Sequence, residues 1–97
     1  MSKFLHITFH FEYTDQVERI LDDNGINDYI RVSMIEGRDC DGKHYGTQVY
    51  PGNSSVIQAV VDDDKLDAVM QGLREFKQAK NTRHHLQALV LPVEQEL

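Results

Sequence analysis

The chain has 97 residues, enough for one small domain, and 40% of them are hydrophobic, an ordinary globular composition rather than a disordered one. Ten basic against 16 acidic residues give a formal net charge of −6, so no basic footprint for nucleic acid or an anionic membrane is visible. The single cysteine, Cys40, excludes a disulfide within the chain, and no apolar run approaches the ~20 residues that insert across a bilayer.

Met1-Ser2-Lys3 leads straight into a strand-like segment without a signal-peptide core, so the cytoplasm is the expected compartment. Phe4, Ile7, Phe9 and Phe11, set among Leu5, His6, Thr8 and His10, predict a first strand. Its imperfect alternation fits a near-central strand. A helix follows. Asp15 with Glu18 is a candidate capping box, Thr14 a rival cap, and Val17, Ile20 and Leu21 form the apolar stripe. Asn24-Gly25 stops it, because glycine tolerates the left-handed cap position.

Tyr29 to Ile35 predicts strand two, with Ile30, Val32 and Met34 on one face and Arg31 and Ser33 on the other. From Glu36 to Ser55 the chain holds four of its six glycines and Pro51. That segment predicts a loop or loose hairpin, with Thr47 to Tyr50 as a short strand inside it. Val56 to Val61 predicts strand three. The aspartates Asp62, Asp63 and Asp64 open a second helix, where carboxylates suit the positive end of the dipole. Leu66, Val69, Met70, Leu73 and Phe76 form its stripe, and Lys77 and Lys80 suit its C-terminal end. Asn81 to His85 is a polar turn. Leu86 to Leu91 predicts the last strand, closed by Pro92.

The order β-α-β-β-α-β predicts an α+β, ferredoxin-like sandwich, with each helix crossing to a parallel neighbouring strand. Both helices cover one sheet face. The other face also carries apolar residues, and association of copies through it is the simplest cover.

Several segments carry a family resemblance. Asp15 to Asn27 is similar to the first helix, and the Gly-Ile turn after it, of the PII-like signalling proteins. Gly37-Arg38 resembles the Gly-Arg pair that leads into their mobile T-loop. Val60 to Val69 resembles their third strand and second helix, and Leu89-Val-Leu-Pro-Val-Glu94 their Leu-Pro-Val-Glu close. The resemblance implies a single PII-like domain over 1–97 with a signalling loop at about 37–54. It implies a homotrimer that binds a small anionic metabolite or nucleotide between subunits and contacts a protein target. By position, Gly37, Arg38 and the turn Asn81 to His85 are the implied ligand contacts. The chain departs from the family in a shorter T-loop segment, in a turn after helix two without glycine, and in lacking the basic C-terminal residues that grip phosphates. These departures resemble a divergent, short-loop branch.

Among individual residues, Arg38 is the leading anion-binding candidate, since guanidinium matches phosphate or carboxylate by paired donors. A salt bridge to Glu36 or Asp39 is the structural alternative. Arg83, His84 and His85 are a second anion-binding patch, Lys43 and His44 a third contribution from the loop, and solvated polar turns explain them equally well. Tyr45 and Tyr50 either pack the loop base or stack on a ligand. Metal is the rival chemistry, with Cys40, His44, His84 and His85 as donors suited to zinc, copper or nickel. No close metal-ligand spacing supports it. His6 and His10 share one strand face but lie ~13 Å apart. No nucleophile comes with a recognisable base, so no catalytic residue is expected and the chain is not expected to be an enzyme. The cofactor is not specified by the sequence.

Overall fold

Strand β1 (Ser2–His10) lies inside a four-stranded sheet and is paired on both sides. The computed structural model describes residues 2–35, 37–39, 42–44, 54–80 and 86–97. After β1 come a 3-10 turn (Phe11–Tyr13), α1 (Thr14–Asp23), β2 (Ile30–Ile35), β3 (Gly37–Asp39) and β4 (Gly42–His44). Then follow β5 (Ser54–Asp62), α2 (Asp63–Lys80) and β6 (Leu86–Pro92). The strand order is β2-β5-β1-β6, and β3 with β4 forms a separate two-stranded hairpin. This is the expected α+β, ferredoxin-like fold.

One topological expectation needs correction. The helices do not deliver the chain to adjacent parallel strands. β5 lies between β1 and β2, β1 lies between β5 and β6, and every neighbouring pair is antiparallel. A helix about 10 Å across spans two strand spacings of ~4.8 Å, so each crossover leaves room for one inserted strand. The two βαβ units fill each other's gaps.

The core lies between the sheet and the helices. Leu5, Ile7 and Phe9 of β1 and Ile57, Ala59 and Val61 of β5 meet Val17, Leu21, Val69 and Leu73 of the helices. Burying each large aliphatic or aromatic side chain contributes ~1.5–3 kcal/mol. The stripes read from helix spacing are therefore the packed faces. The helices approach closely at Gly72, where an added Cβ would stand 3.0 Å from Ile20 Cγ2.

The start of α1 differs from the sequence expectation. Its N-cap is Tyr13, which makes no side-chain cap hydrogen bond, and neither Thr14 nor Asp15 caps it. The 3-10 turn takes over this task. His10 Nδ1 accepts from the Glu12 N–H at 3.3 Å, and Thr14 Oγ1 donates to the Phe11 carbonyl at 2.6 Å. Phe11 thus leaves the strand and is exposed. The C-terminal end is as expected. The Gly25 N–H bonds the Asp22 carbonyl and the Ile26 N–H the Leu21 carbonyl, with Gly25 at φ 78°. This paired pattern requires the left-handed residue that glycine supplies. Lys65 Nζ donates to the Gly25 carbonyl at 3.2 Å and ties this turn to α2.

The opposite sheet face is open. Ile30 (64% exposed), Val32 (44%), Val60 (47%), Leu89 (48%) and Leu91 (53%) all lie on it. Phe4 stands between Val60 and Leu91, and His6 between Gln58 and Leu89. The apolar side of β2 faces outward here, whereas Arg31 faces the helices and donates to Glu18.

Candidate functional site

The strand ends that flank the candidate segments share one end of the sheet. His10 at the end of β1 is opposite Ser54 at the start of β5. Ile35 at the end of β2 is opposite the same Ser54. Leu86 at the start of β6 is opposite Phe9. The chain therefore leaves β2 and enters β6 at the same end. The 36–53 and 81–85 segments are both anchored there.

β2 is bulged just before it leaves the sheet. Val32 opposes Val56 but Ile35 opposes Ser54, so three steps on β2 match two on β5. Such an extra residue bends a strand and increases its local twist. The β3–β4 hairpin follows directly. Its register sets Gly37 opposite His44, Arg38 opposite Lys43 and Asp39 opposite Gly42. Two basic residues predicted to bind an anion, Arg38 and Lys43, thus share one register position. Glycine at Gly37 and Gly42 keeps two of the six hairpin positions free of side chains.

Cys40, Arg83, His84 and His85 lie outside the described residues. So do Tyr45, the turn Asn81 to His85 and the short strand expected at Thr47 to Tyr50. Among the described residues, no group of three or more His, Cys, Asp or Glu is placed to hold a metal. Asp62 ends β5, while Asp63 and Asp64 occupy the first turn of α2. Lys3 Nζ lies 3.7 Å from Asp63 Oδ1, so the aspartate run has a structural explanation.

Sequence reasoning missed one feature near this end. A cavity of about 150 Å³ lies between the second half of α2 and the start of β6, lined by Met70, Leu73, Arg74, Lys77, Leu86 and Ala88. Arg74 and Lys77 bring positive charge to it. The three-residue spacing of Arg74 and Lys77, continuing Met70's side of the helix, was the available signal. Lys77 reads from sequence as a dipole partner, and Arg74 is not singled out by the sequence reading.

No family model matches the chain, and no curated protein matches it. Solved structures do. CPII, a nitrogen regulatory PII-like protein from Thiomonas intermedia K12, solved with ADP, AMP and bicarbonate, is 21% identical with a TM-score of 0.77, over 92% of this chain and 82% of that one. CPII from the same organism with ADP, AMP and acetate is 18% identical with a TM-score of 0.76, over 99% and 89%. A DUF3240 family protein from Shewanella baltica OS155 is 10% identical with a TM-score of 0.71, over 99% and 93%. Among the described residues, no helix is long and apolar enough to cross a membrane. The chain has the fold of the PII-like proteins.

Proposed function

We propose that this chain is a PII-like regulatory protein that holds a small anionic metabolite or nucleotide in clefts between subunits of a homotrimer. The 37–54 segment carries the signal to a protein target in the cytoplasm, and the chain catalyses no reaction. One observation carries the intersubunit reading. Ile35 and Leu86 anchor the two candidate segments at the same end of the sheet but at opposite edges. Three strand spacings, ~14 Å, separate those edges. That separation supports a cleft completed by the 81–85 segment of an adjacent copy. The open apolar face supplies the surface through which copies associate.

Charge agrees with an anionic ligand. Arg38 and Lys43 share a register position, and Arg74 and Lys77 line the cavity beside the start of β6. The PII-like protein of similar fold, CPII, was solved with ADP, AMP and bicarbonate, all anions. Binding that orders the loop in one conformation shifts its population toward the form the target recognises.

Titration calorimetry with ADP, AMP and bicarbonate tests the reading. At least one binds the wild type, and Arg38→Ala weakens it by about tenfold, the scale of one charge-assisted hydrogen bond. Absence of heat with all three, or unchanged affinity in Arg38→Ala, overturns the assignment of this ligand class or of Arg38 respectively.

A further inference from the structure

The cavity of about 150 Å³ beside β6 combines apolar walls with two cations. Leu86, Ala88 and Val90 alternate along β6 and pair with Phe9, Ile7 and Leu5 of the core, so they face the helices. β6 ends the sheet and is paired with β1 alone. Ala88 is the smallest of the three, and its short side chain leaves room beneath α2. On the helix, Met70, Leu73, Arg74 and Lys77 recur at three- and four-residue spacing and share one face. Leu73 and Leu86, 3% and 2% exposed, form the floor. Met70 and Ala88 are half-buried, and Arg74 and Lys77 stand exposed at the rim.

The structure gives these cations no other task. Among the described residues, neither Arg74 nor Lys77 forms an ion pair. Glu75, the carboxylate between them in sequence, is engaged elsewhere and accepts from Gln71 Nε2 at 3.2 Å. The helix dipole acts within the last turn, and α2 runs on to Lys80, so Arg74 lies outside its reach. An apolar cavity alone suits a neutral molecule, and a pair of cations alone suits an inorganic anion. The two together match one carboxylate carried on an apolar group. A cavity of about 150 Å³ accommodates a benzene-sized group. An adenine nucleotide is larger.

We propose that this cavity binds a small carboxylic acid anion whose apolar part is about the size of a benzene ring. The apolar part lies against Leu73, Leu86 and Ala88, where Met70 adapts its flexible thioether to the shape. The carboxylate meets Arg74 and Lys77 at the rim. The described walls all come from α2 and β6 of one chain. The site is therefore distinct from the intersubunit cleft proposed above, and it rests neither on Arg38 nor on association of copies.

Amide NMR titration of the full chain with benzoate tests this, with benzamide and acetate in parallel. Benzoate saturates with a Kd of about 1 mM or tighter, and the shifts centre on 70–77 and 86–88. Benzamide lacks the charge and acetate the ring, and each binds at least about tenfold more weakly. Arg74→Gln and Lys77→Gln each weaken benzoate by about tenfold. Ala88→Leu fills the cavity and abolishes binding, and the charge variants keep the test valid if that substitution packs badly. Failure of benzoate to saturate overturns the site. Equal affinity for benzamide removes the cations from it, equal affinity for acetate removes the apolar walls, and either result overturns the proposal. Arg38→Ala leaves benzoate binding unchanged. A loss there, or displacement of benzoate by ADP, moves the ligand to the intersubunit cleft and overturns a separate site. Benzoate binding retained where ADP, AMP and bicarbonate all fail strikes the cleft reading and leaves this one standing.

Discussion

Arg31 Nη1 donates to Glu18 Oε2 at 3.0 Å and fastens the edge strand β2 to helix α1. The contact joins the strand that leads into the bulge to the helix behind it. Both partners are partly exposed, at 44% and 24%, so the pair contributes only about 0.5 kcal/mol. Arg31→Ala lowers the unfolding free energy from chemical denaturation by that amount, and added salt shrinks the difference. A loss several times larger would assign Arg31 a second role.

Glu18 also bears on Tyr29. Partial desolvation raises the Tyr29 phenol above 10.0, and the Glu18 and Asp22 carboxylates and a hydrogen bond to Glu18 raise it further, against the lowering effect of Arg31. The folded state therefore keeps this proton longer than the unfolded state. The stability linked to it is intact below the unfolded value of 10.0 and is lost as pH rises from there through the raised folded value. Absorbance titration of the phenols finds one late titration that Tyr29→Phe removes. Glu18→Gln moves it back toward 10.0 without abolishing the shift, because desolvation remains.

Helices α1 and α2 approach closely at Gly72. An Ala there gains helix propensity of ~1 kcal/mol, but its Cβ stands 3.0 Å from Ile20 Cγ2. Gly72→Leu cannot avoid the collision and destabilises by roughly 1–3 kcal/mol. A thermal-denaturation cycle of Gly72→Ala with Ile20→Ala reads the coupling directly. The glycine substitution is more favourable beside Ile20→Ala than beside Ile20. Strict additivity would remove the steric account.

Gly25 differs in kind. Its added Cβ meets only the Lys65 side chain, at 3.5 Å, so space is not the constraint. Its φ of 78° is. Gly25→Ala costs ~1 kcal/mol from left-handed strain, and Gly25→Asn costs less, because asparagine tolerates that region. Equal losses in urea unfolding would point to the Lys65 bond instead.

Val60 lies on the open face beside Phe4. Under the proposed self-association, Val60→Asp introduces a charge on the contact face and is expected to yield monomers where the wild type is oligomeric, by light scattering. The melting transition persists, since Val60 is already 47% exposed. Retained assembly would move the subunit contact to another surface.

The sequence was most legible where one period dominates. Val17, Leu21, Val69 and Leu73 declare their helices by spacing, and all four are buried. Gly25 was legible because few residues suit its conformation. The start of α1 was not, since Thr14 and Asp15 carry cap chemistry one turn away from where the 3-10 segment begins the helix. Strand order was misread because spacing along a chain does not state how far sideways a crossover travels. In the candidate site, Arg38 and Lys43 were singled out from residue type, but their shared register depends on pairing in space. Arg74 and Lys77 were missed because a cationic helix face looks the same whether it borders a cavity or solvent.

The Val93 N–H meets the Ser2 carbonyl at 3.4 Å, at the end of the sheet remote from Ile35 and Leu86. A probe or surface tether attached beside either residue is therefore oriented by the fold itself. It leaves the opposite pole, with the anchors of both candidate segments, facing solution. Immobilised at this end, the molecule presents Ile35 and Leu86 outward without any change to the residues under test.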